Sequence, residues 1–198
     1  MKATDTPDQP APVDEYFVMQ PVMRGGMMLA PLRDVPEDQG WTVGQRFDPP
    51  PPEPVVAKIR TGYEDAEPRP FLGVPPILSE QLLDILRGAG VSNLDAYDAL
   101  IQSADGAVAL KGYKAFNLIG LVAAADLAQT RFAPDNESRF LDASIDGLVL
   151  DPAKIRGLRM FRLAENTSAI IVHRSVKAAV EAAGIKHVNF LKPSDFMG

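Results

Sequence analysis

The chain has 198 residues, a formal net charge of −6 at pH 7 and no cysteine. The lack of cysteine excludes disulfide bonds, thiolate nucleophiles and cysteine-ligated metal sites. The negative charge disfavours the phosphate backbone of a nucleic acid as a partner and suits a basic protein surface better.

The length fits one domain with a full hydrophobic core. Residues 1–14 are polar, acidic and rich in proline. We therefore expect a flexible tail ahead of a single domain at residues 15–198, in which residues 141–198 can form a C-terminal lobe. The tail lacks the basic start and apolar core of a signal peptide. The longest apolar run, residues 118–125, is far shorter than the roughly 20 residues that span a bilayer. We predict a cytoplasmic protein without a membrane partner.

Two short strands are predicted in the first part of the chain, at residues 16–19 and 55–59, where apolar side chains predominate. Between them lie a methionine cluster at residues 22–32 and the single tryptophan, Trp41. Methionine fills irregular gaps and tryptophan buries a large apolar body, so we assign both to the core. A pliable binding surface at residues 22–32 is the alternative.

Capping residues and apolar spacing predict two helices. Ser79 occupies an N-cap position, with Glu80 in the first turn. The apolar stripe behind this cap consists of Leu82, Leu83 and Leu86. A second helix is expected over residues 174–183, where it ends before Gly184.

Turn residues between apolar runs predict two β-hairpins. A short helix is expected after Asp151-Pro152, because an N-cap residue there precedes proline at the first helical position. Further strands are expected at residues 145–150 and 188–191. The hairpins are Asp105-Gly106 between residues 97–102 and 108–116, and Glu165-Asn166-Thr167 between residues 158–163 and 169–172.

The longest nearly uncharged run, residues 112–126, is the best candidate for a central core element. Its aromatic and branched part, residues 113–122, is typical of a buried strand. Asn117 interrupts this part and needs hydrogen-bond partners if it is buried. We predict an α+β fold, with a mixed α/β arrangement as the alternative. It consists of a mixed sheet built from hairpins around this element and covered by a few helices.

One internal echo is present: residues 77–91 align without gaps with residues 171–185. Duplication of a strand–helix unit explains this echo, and so does convergence of two capped amphipathic helices. We take convergence as the simpler explanation and keep duplication as the alternative.

The sequence contains no recognised catalytic motif. It lacks a glycine-rich dinucleotide fingerprint, a P-loop and a nucleophile elbow. Its two histidines, His173 and His187, have neither cysteine neighbours nor the i, i+4 spacing of a helical metal site. Aromatic residues are not interleaved with a basic stripe, so no nucleic-acid partner is expected. We predict that the protein is not an enzyme and holds no metal or cofactor.

The order of several motifs resembles that of a known family. Residues 71–80 precede the leucine helix, residues 113–118 follow it, and residues 160–163 precede the second helix. Over residues 71 to 190, with a looser match near residue 41, the chain is similar to bacterial immunity protein family eleven, formerly a domain of unknown function. His173 stands where a serine helix cap is expected, which affects local capping alone. The structural motif residues are Trp41, Tyr113, Asn117, Asp126, Phe161 and Arg162.

The resemblance implies binding rather than catalysis. Family members are predicted to neutralise toxins of polymorphic toxin systems that are encoded next to them. We therefore expect stoichiometric inhibition of a cognate toxin, whose surface we expect to be basic. Acidic loops can vary without harming the core, so we assign toxin binding to Glu64, Asp65, Glu67, Asp135 and Glu137. A small hydrolase or transferase with an unrecognised site, and a scaffold for an extended peptide, are the alternatives.

Overall fold

The computed structural model describes residues 15–32, 40–73, 75–134, 136 and 142–198. The predicted tail at residues 1–14 and the candidate residues Asp135 and Glu137 lie outside the described residues. Within these ranges the chain forms two five-stranded sheets and three α-helices. The elements are β1 (Tyr16–Pro21), β2 (Val55–Lys58), β3 (Phe71–Leu72), β4 (Ile77–Ser79), α1 (Glu80–Gly88), β5 (Leu94–Gln102), β6 (Ala109–Leu118), β7 (Leu121–Val122), α2 (Pro152–Ile155), β8 (Met160–Leu163), β9 (Ile170–His173), α3 (Arg174–Ala182) and β10 (Val188–Leu191), followed by a 3₁₀ turn (Pro193–Asp195).

The strands are ordered β10-β1-β9-β8-β7 in the first sheet and β2-β5-β6-β4-β3 in the second sheet. Each sheet has one parallel pair at an edge, β7–β8 in the first and β2–β5 in the second, and its other pairs are antiparallel. The predicted hairpins are present as β5–β6 and β8–β9. The predicted α+β class is therefore confirmed, although the strands form two sheets rather than one.

The two long helices contribute to a core that both sheets share. Side chains alternate along each strand, so each sheet also covers a second core on its other face. Phe161 lies in that second core of the first sheet, and Trp41 lies in that of the second sheet. No helix among the described residues is long and apolar enough to cross a membrane. The shared core includes Leu82 and Leu86 of α1, Val176 and Val180 of α3, Met19 of the first sheet and Phe116 of the second.

The apolar run at residues 113–122, expected to form one central strand, is divided between the sheets. Strand β6 ends at Leu118, and β7 lies at the edge of the other sheet. Gly120 between them has a φ of +92°, a conformation that costs glycine little. The run therefore connects the two sheets instead of forming the centre of one.

The prediction of a strand at residues 145–150 is wrong, because this segment forms isolated β-bridges instead of a continuous β-ladder. Its backbone contacts the end of the chain: the N–H of Ile145 donates to the carbonyl of Gly198 at 2.6 Å, and that of Gly147 to Phe196 at 2.9 Å. Ile145 and Leu148 are nevertheless buried. The spacing of apolar residues therefore predicted the burial of this segment correctly. Gly147, with a φ of +106°, prevents regular strand geometry.

Four strands and one helix have the same topology in each sheet, while the edge strands β2 and β7 lie at opposite ends. In the second sheet the hairpin β3–β4 leads to α1 and β5, and β6 lies antiparallel between β4 and β5. In the first sheet the hairpin β8–β9 leads to α3 and β10, and β1 lies antiparallel between β9 and β10. The middle strand of the second sheet, β6, comes after its unit in the sequence, whereas the middle strand of the first sheet, β1, comes before its unit.

Strand register is also the same in the two halves. Ser79 lies opposite Tyr113, and His173 lies opposite Tyr16. Helix α1 is followed by Gly90 with a φ of +90°, and α3 by Gly184 with a φ of +68°. The next backbone bonds correspond as well, from Val91 N–H to Leu86 at 3.1 Å and from Ile185 N–H to Val180 at 3.3 Å. Convergence of two capped helices does not account for equal strand register, so the echo in the sequence marks a structural repeat.

Candidate functional site

The acidic loop chosen from the sequence lies between β2 and β3. Asp65 and Glu67 are exposed, and Glu64 is half-buried. The Glu64 carboxylate accepts a hydrogen bond from the N–H of Gly62 at 2.8 Å. Glu67 forms an ion pair with the buried Arg69 at 2.8 Å. The loop therefore offers negative charge, part of which is used within the protein.

Trp41 and Asn117 have interior positions. The Trp41 ring lies 4.7 Å from the ring of Phe47 and 5.8 Å from that of Tyr97, both edge-on. Asn117 is fully buried, and its amide donates to the carbonyl of Gln45 at 2.5 Å. These contacts fix the segment at residues 41–47 on the second sheet, which is a structural role.

Asp126 shapes a turn. Its carboxylate accepts a hydrogen bond from the N–H of Ala128 at 3.0 Å and another from the Gln129 side chain at 2.5 Å. The hydrogen bonds from Gln129 and Ala128 lower the pKa of the Asp126 carboxyl group. Asp126 therefore ends the apolar run with an Asx turn.

Arg162 is a buried cation. Its side chain is 2% exposed, and its Nη1 donates to the carbonyl of Thr167. Among the described residues no carboxylate forms an ion pair with it. Burial lowers the pKa of Arg162 to about 10. Its neighbour Phe161 is fully buried in the core of the first sheet.

Glu165 is a buried carboxyl group in what the sequence indicated as a polar hairpin turn. It is 3% exposed, and its Oε1 accepts a hydrogen bond from the N–H of Ala125 at 3.3 Å. Burial raises its pKa. The adjacent Asn166 donates to the carbonyl of Ala143 at 2.9 Å. This turn therefore ties β8–β9 to two other segments, a role that turn chemistry alone does not reveal.

A cleft lies beside the start of α1 and the strands β5 and β6. We call it the first cleft. Its volume is about 260 Å³, and its lining includes Pro54, Glu80, Asp98, Ala99, Lys111 and Tyr113. Sequence reasoning identified Tyr113 as a motif residue but missed the two carboxylates, because their approach depends on the pairing of β5 with β6.

Lys114 connects the two carboxylates of the first cleft. Its Nζ lies 3.1 Å from Glu80 Oε1 and also bonds Asp98 Oδ1. The hydrogen bonds that Lys114 donates, first the one to Asp98 and then the one to Glu80, raise the pKa of Lys114. The side chain of Lys114 is 22% exposed, compared with 55% for Glu80 and 64% for Asp98. The lysine therefore holds the carboxylates from the protein side and leaves them open to solvent.

A second cleft, of about 410 Å³, occurs at the equivalent place in the first sheet; its lining includes Tyr16, Phe17, Leu148, Leu150, Lys192 and Pro193. Tyr16 corresponds to Tyr113 by strand register. Leu191 pairs with Val18, and Tyr97 pairs with Ala115 at the equivalent place. Lys192 and Asp98 are the next residues after Leu191 and Tyr97, so they are equivalent as well. Arg174 begins α3 as Glu80 begins α1. The two clefts therefore share their position in the repeat, and Lys192 lines the second where Asp98 lines the first.

Neither cleft has the composition of a common catalytic site. Histidine and cysteine are missing from both linings, so neither joins a nucleophile to an imidazole base. No group of three or more histidine, aspartate or glutamate side chains suited to a metal is found among the described residues.

The model of the immunity protein family (Imm11) matches residues 19–195. The match runs from β1 to the 3₁₀ turn and so includes both sheets. The chain belongs to the Imm11 family. The Imm11 match is wider than the resemblance at residues 71–190, because it also contains the second half of β1 and all of β2. Comparison with curated proteins gives no match.

Membership in Imm11 indicates an immunity function. The first cleft, α1 and α3 lie inside the matched Imm11 region, and the second cleft does so except for Tyr16 and Phe17. The loop with Glu64, Asp65 and Glu67 also lies inside it, while its assignment to toxin binding stays a prediction.

Proposed function

We propose that this protein neutralises a cognate bacterial toxin by binding it stoichiometrically and covering the toxin's active site. The observation that carries this proposal is the Imm11 match over residues 19–195. An immunity protein acts on a partner and needs no reaction of its own, so we propose a non-enzymatic inhibitor. We place the encounter in the bacterial cytoplasm, without nucleic acid or membrane.

The charge of the chain supports a basic toxin. A formal net charge of −6 favours fast association with a cation-rich surface, because long-range attraction raises the rate of encounter. The loop with Glu64, Asp65 and Glu67 places negative charge outside the core, and we propose it as one contact. We propose Asp135 and Glu137 as a second contact.

Growth rescue tests the function. The reading frame next to the gene for this protein is expressed from an inducible promoter, with and without the immunity protein. Rescue of growth, together with a 1:1 complex by size-exclusion chromatography with light scattering, supports the proposal. Continued toxicity in the presence of well-folded immunity protein, with no complex in solution, rejects it.

The loop assignment has its own test. The double variant Glu64→Lys/Asp65→Lys reverses two charges in the loop, and Glu181→Lys reverses an exposed charge on α3 as a control. We expect slower toxin association for the loop variant, most clearly at low salt, and little change for the control. Equal association rates would remove the loop from the interface.

A further inference from the structure

The first cleft has the size of a socket for one side chain. Its volume of about 260 Å³ is smaller than the roughly 300–1,000 Å³ of sites for small molecules. Tyr113 lies opposite Ala99 in the β5–β6 ladder, and both belong to the cleft lining with Pro54. These walls can cover the aliphatic part of a long side chain.

The charged groups of the first cleft are arranged for a cation. Lys114 bonds Glu80 Oε1 and Asp98 Oδ1. Within the described ranges Glu80 Oε2 and Asp98 Oδ2 have no hydrogen-bond partner, and both side chains are more than half exposed. The Asp98 N–H also donates to the carboxylate of Glu53, which brings a third negative charge next to the pair. Lys111 also lines the cleft, so three carboxylates face two ammonium groups, and the two open oxygens can still accept hydrogen bonds from a further donor.

Guanidinium matches this arrangement better than ammonium does. Its planar fork offers five N–H donors, pairs with carboxylates through two bonds and stacks readily on aromatic rings. The first cleft offers two carboxylates that can accept bonds from the guanidinium and a tyrosine ring against which it can stack. A lysine ammonium group is more strongly hydrated and gains less from the aromatic wall.

We infer that the first cleft receives an arginine side chain of the cognate toxin, with the guanidinium bound by Glu80 and Asp98 and the stem against Tyr113. This inference rests on the proposed function and assigns it a contact. Lys114 acts as a positioning residue, because it orients both carboxylates without filling the cleft. The second cleft does not take this role, since Lys192 in its lining repels a cation.

The structural repeat provides a matched control for the test. The variant Glu80→Gln/Asp98→Asn removes the charges of the first cleft, and Arg174→Gln/Lys192→Gln removes those at the equivalent positions of the second. The probe is the purified protein from the neighbouring toxin reading frame, and its Kd is measured by calorimetry. We expect the first variant to raise Kd by roughly 10- to 100-fold, because paired charges are lost at an interface. The control should change Kd by less than about 3-fold.

A single variant protects the test against a folding defect. Glu80→Gln keeps the Lys114–Asp98 bond and the helix cap, and circular dichroism checks its fold. It should raise Kd by roughly 5- to 30-fold. Unchanged Kd in both cleft variants overturns the arginine site while the proposed function stands. A wild-type protein that does not bind the toxin at all overturns the proposed function and the site with it.

Discussion

Ser79 and His173 hold the same place in the two halves, and each caps a nine-residue helix with its side chain. Ser79 Oγ accepts a hydrogen bond from the N–H of Leu82 at 3.2 Å. His173 Nδ1 accepts one from the N–H of Ser175, also at 3.2 Å. Because Nδ1 accepts, the proton of the neutral ring belongs on Nε2, which lies 3.2 Å from Glu15 Oε2. Histidine therefore replaces the expected serine without loss of the cap.

Substitutions of His173 can separate the stability that comes from the helix cap from the stability that comes from other contacts of the imidazole ring. His173→Ala should lower the free energy of unfolding by about 0.5–2 kcal/mol, because a helix cap is lost. His173→Ser should recover most of this loss, since serine is a favoured cap. Urea denaturation measures both values, with Ser79→Ala as the reference for cap loss. If His173→Ser is as unstable as His173→Ala, the stability comes from ring contacts such as the one with Tyr16 at 5.3 Å.

Glu165 predicts a pH dependence of stability. Burial raises its pKa in the folded protein, so the folded state binds its proton more tightly than the unfolded state does. The stability that this proton provides is complete below the unfolded pKa, and it is lost as pH rises through the folded pKa. Glu165→Gln removes the ionisation, so its stability relative to wild type should increase from pH 4 to pH 7.

Urea denaturation at pH 4 and pH 7 measures how the difference in unfolding free energy between Glu165→Gln and wild type changes with pH. Glu64→Gln removes the same charge from a side chain that is only half-buried and serves as the control. A relative stability of Glu165→Gln that stays constant across this range would contradict the burial argument.

Arg162 predicts a contrast between two apolar substitutions. Its guanidinium is buried and lacks an ion pair within the described residues. Arg162→Met removes the charge and keeps much of the side-chain length, so its unfolding free energy should lie within about 1 kcal/mol of wild type. Arg162→Ala should lose about 2–4 kcal/mol, because it leaves a cavity. Chemical denaturation compares them, and equal losses would show that the bond to Thr167 outweighs packing.

Two glycines with positive φ predict different costs for alanine. A Cβ added at Gly147 meets the guanidinium of Arg131, whereas one at Gly106 meets nothing within 4 Å. Gly106→Ala carries the cost of the left-handed backbone, about 1–2 kcal/mol. Gly147→Ala displaces only the flexible end of Arg131, but its φ of +106° lies farther from the left-handed minimum than the +77° of Gly106, so it should lose at least about 1 kcal/mol more. Thermal denaturation ranks the two, and equal shifts in Tm would show that alanine tolerates the backbone of Gly147 as well as that of Gly106.

Local sequence chemistry predicted the elements that depend on neighbouring residues. Ser79 marks the start of α1, Asp151-Pro152 marks α2, and the two turns mark the hairpins that the structure contains. Their signals lie within a few residues of the element. The Imm11 resemblance was likewise carried by the order of such elements, and the family match confirms it.

Features that depend on distant pairing could not be predicted in the same way. The apolar run at residues 113–122 looks continuous, because both of its parts are buried against different sheets. Glu165 looks like an exposed turn residue until segments near Ala125 and Ala143 cover it. The first cleft requires Asp98 to lie opposite Lys114, and register between strands is not written in either strand alone.

The place of β1 has a consequence for synthesis on the ribosome. This strand is translated before β2 to β8, yet its two neighbours, β9 and β10, are translated after them. The first sheet cannot close until β10 has emerged, while β3 to β6 of the second sheet can pair earlier. A nascent chain therefore completes the second sheet's central strands before β1 finds either of its partners.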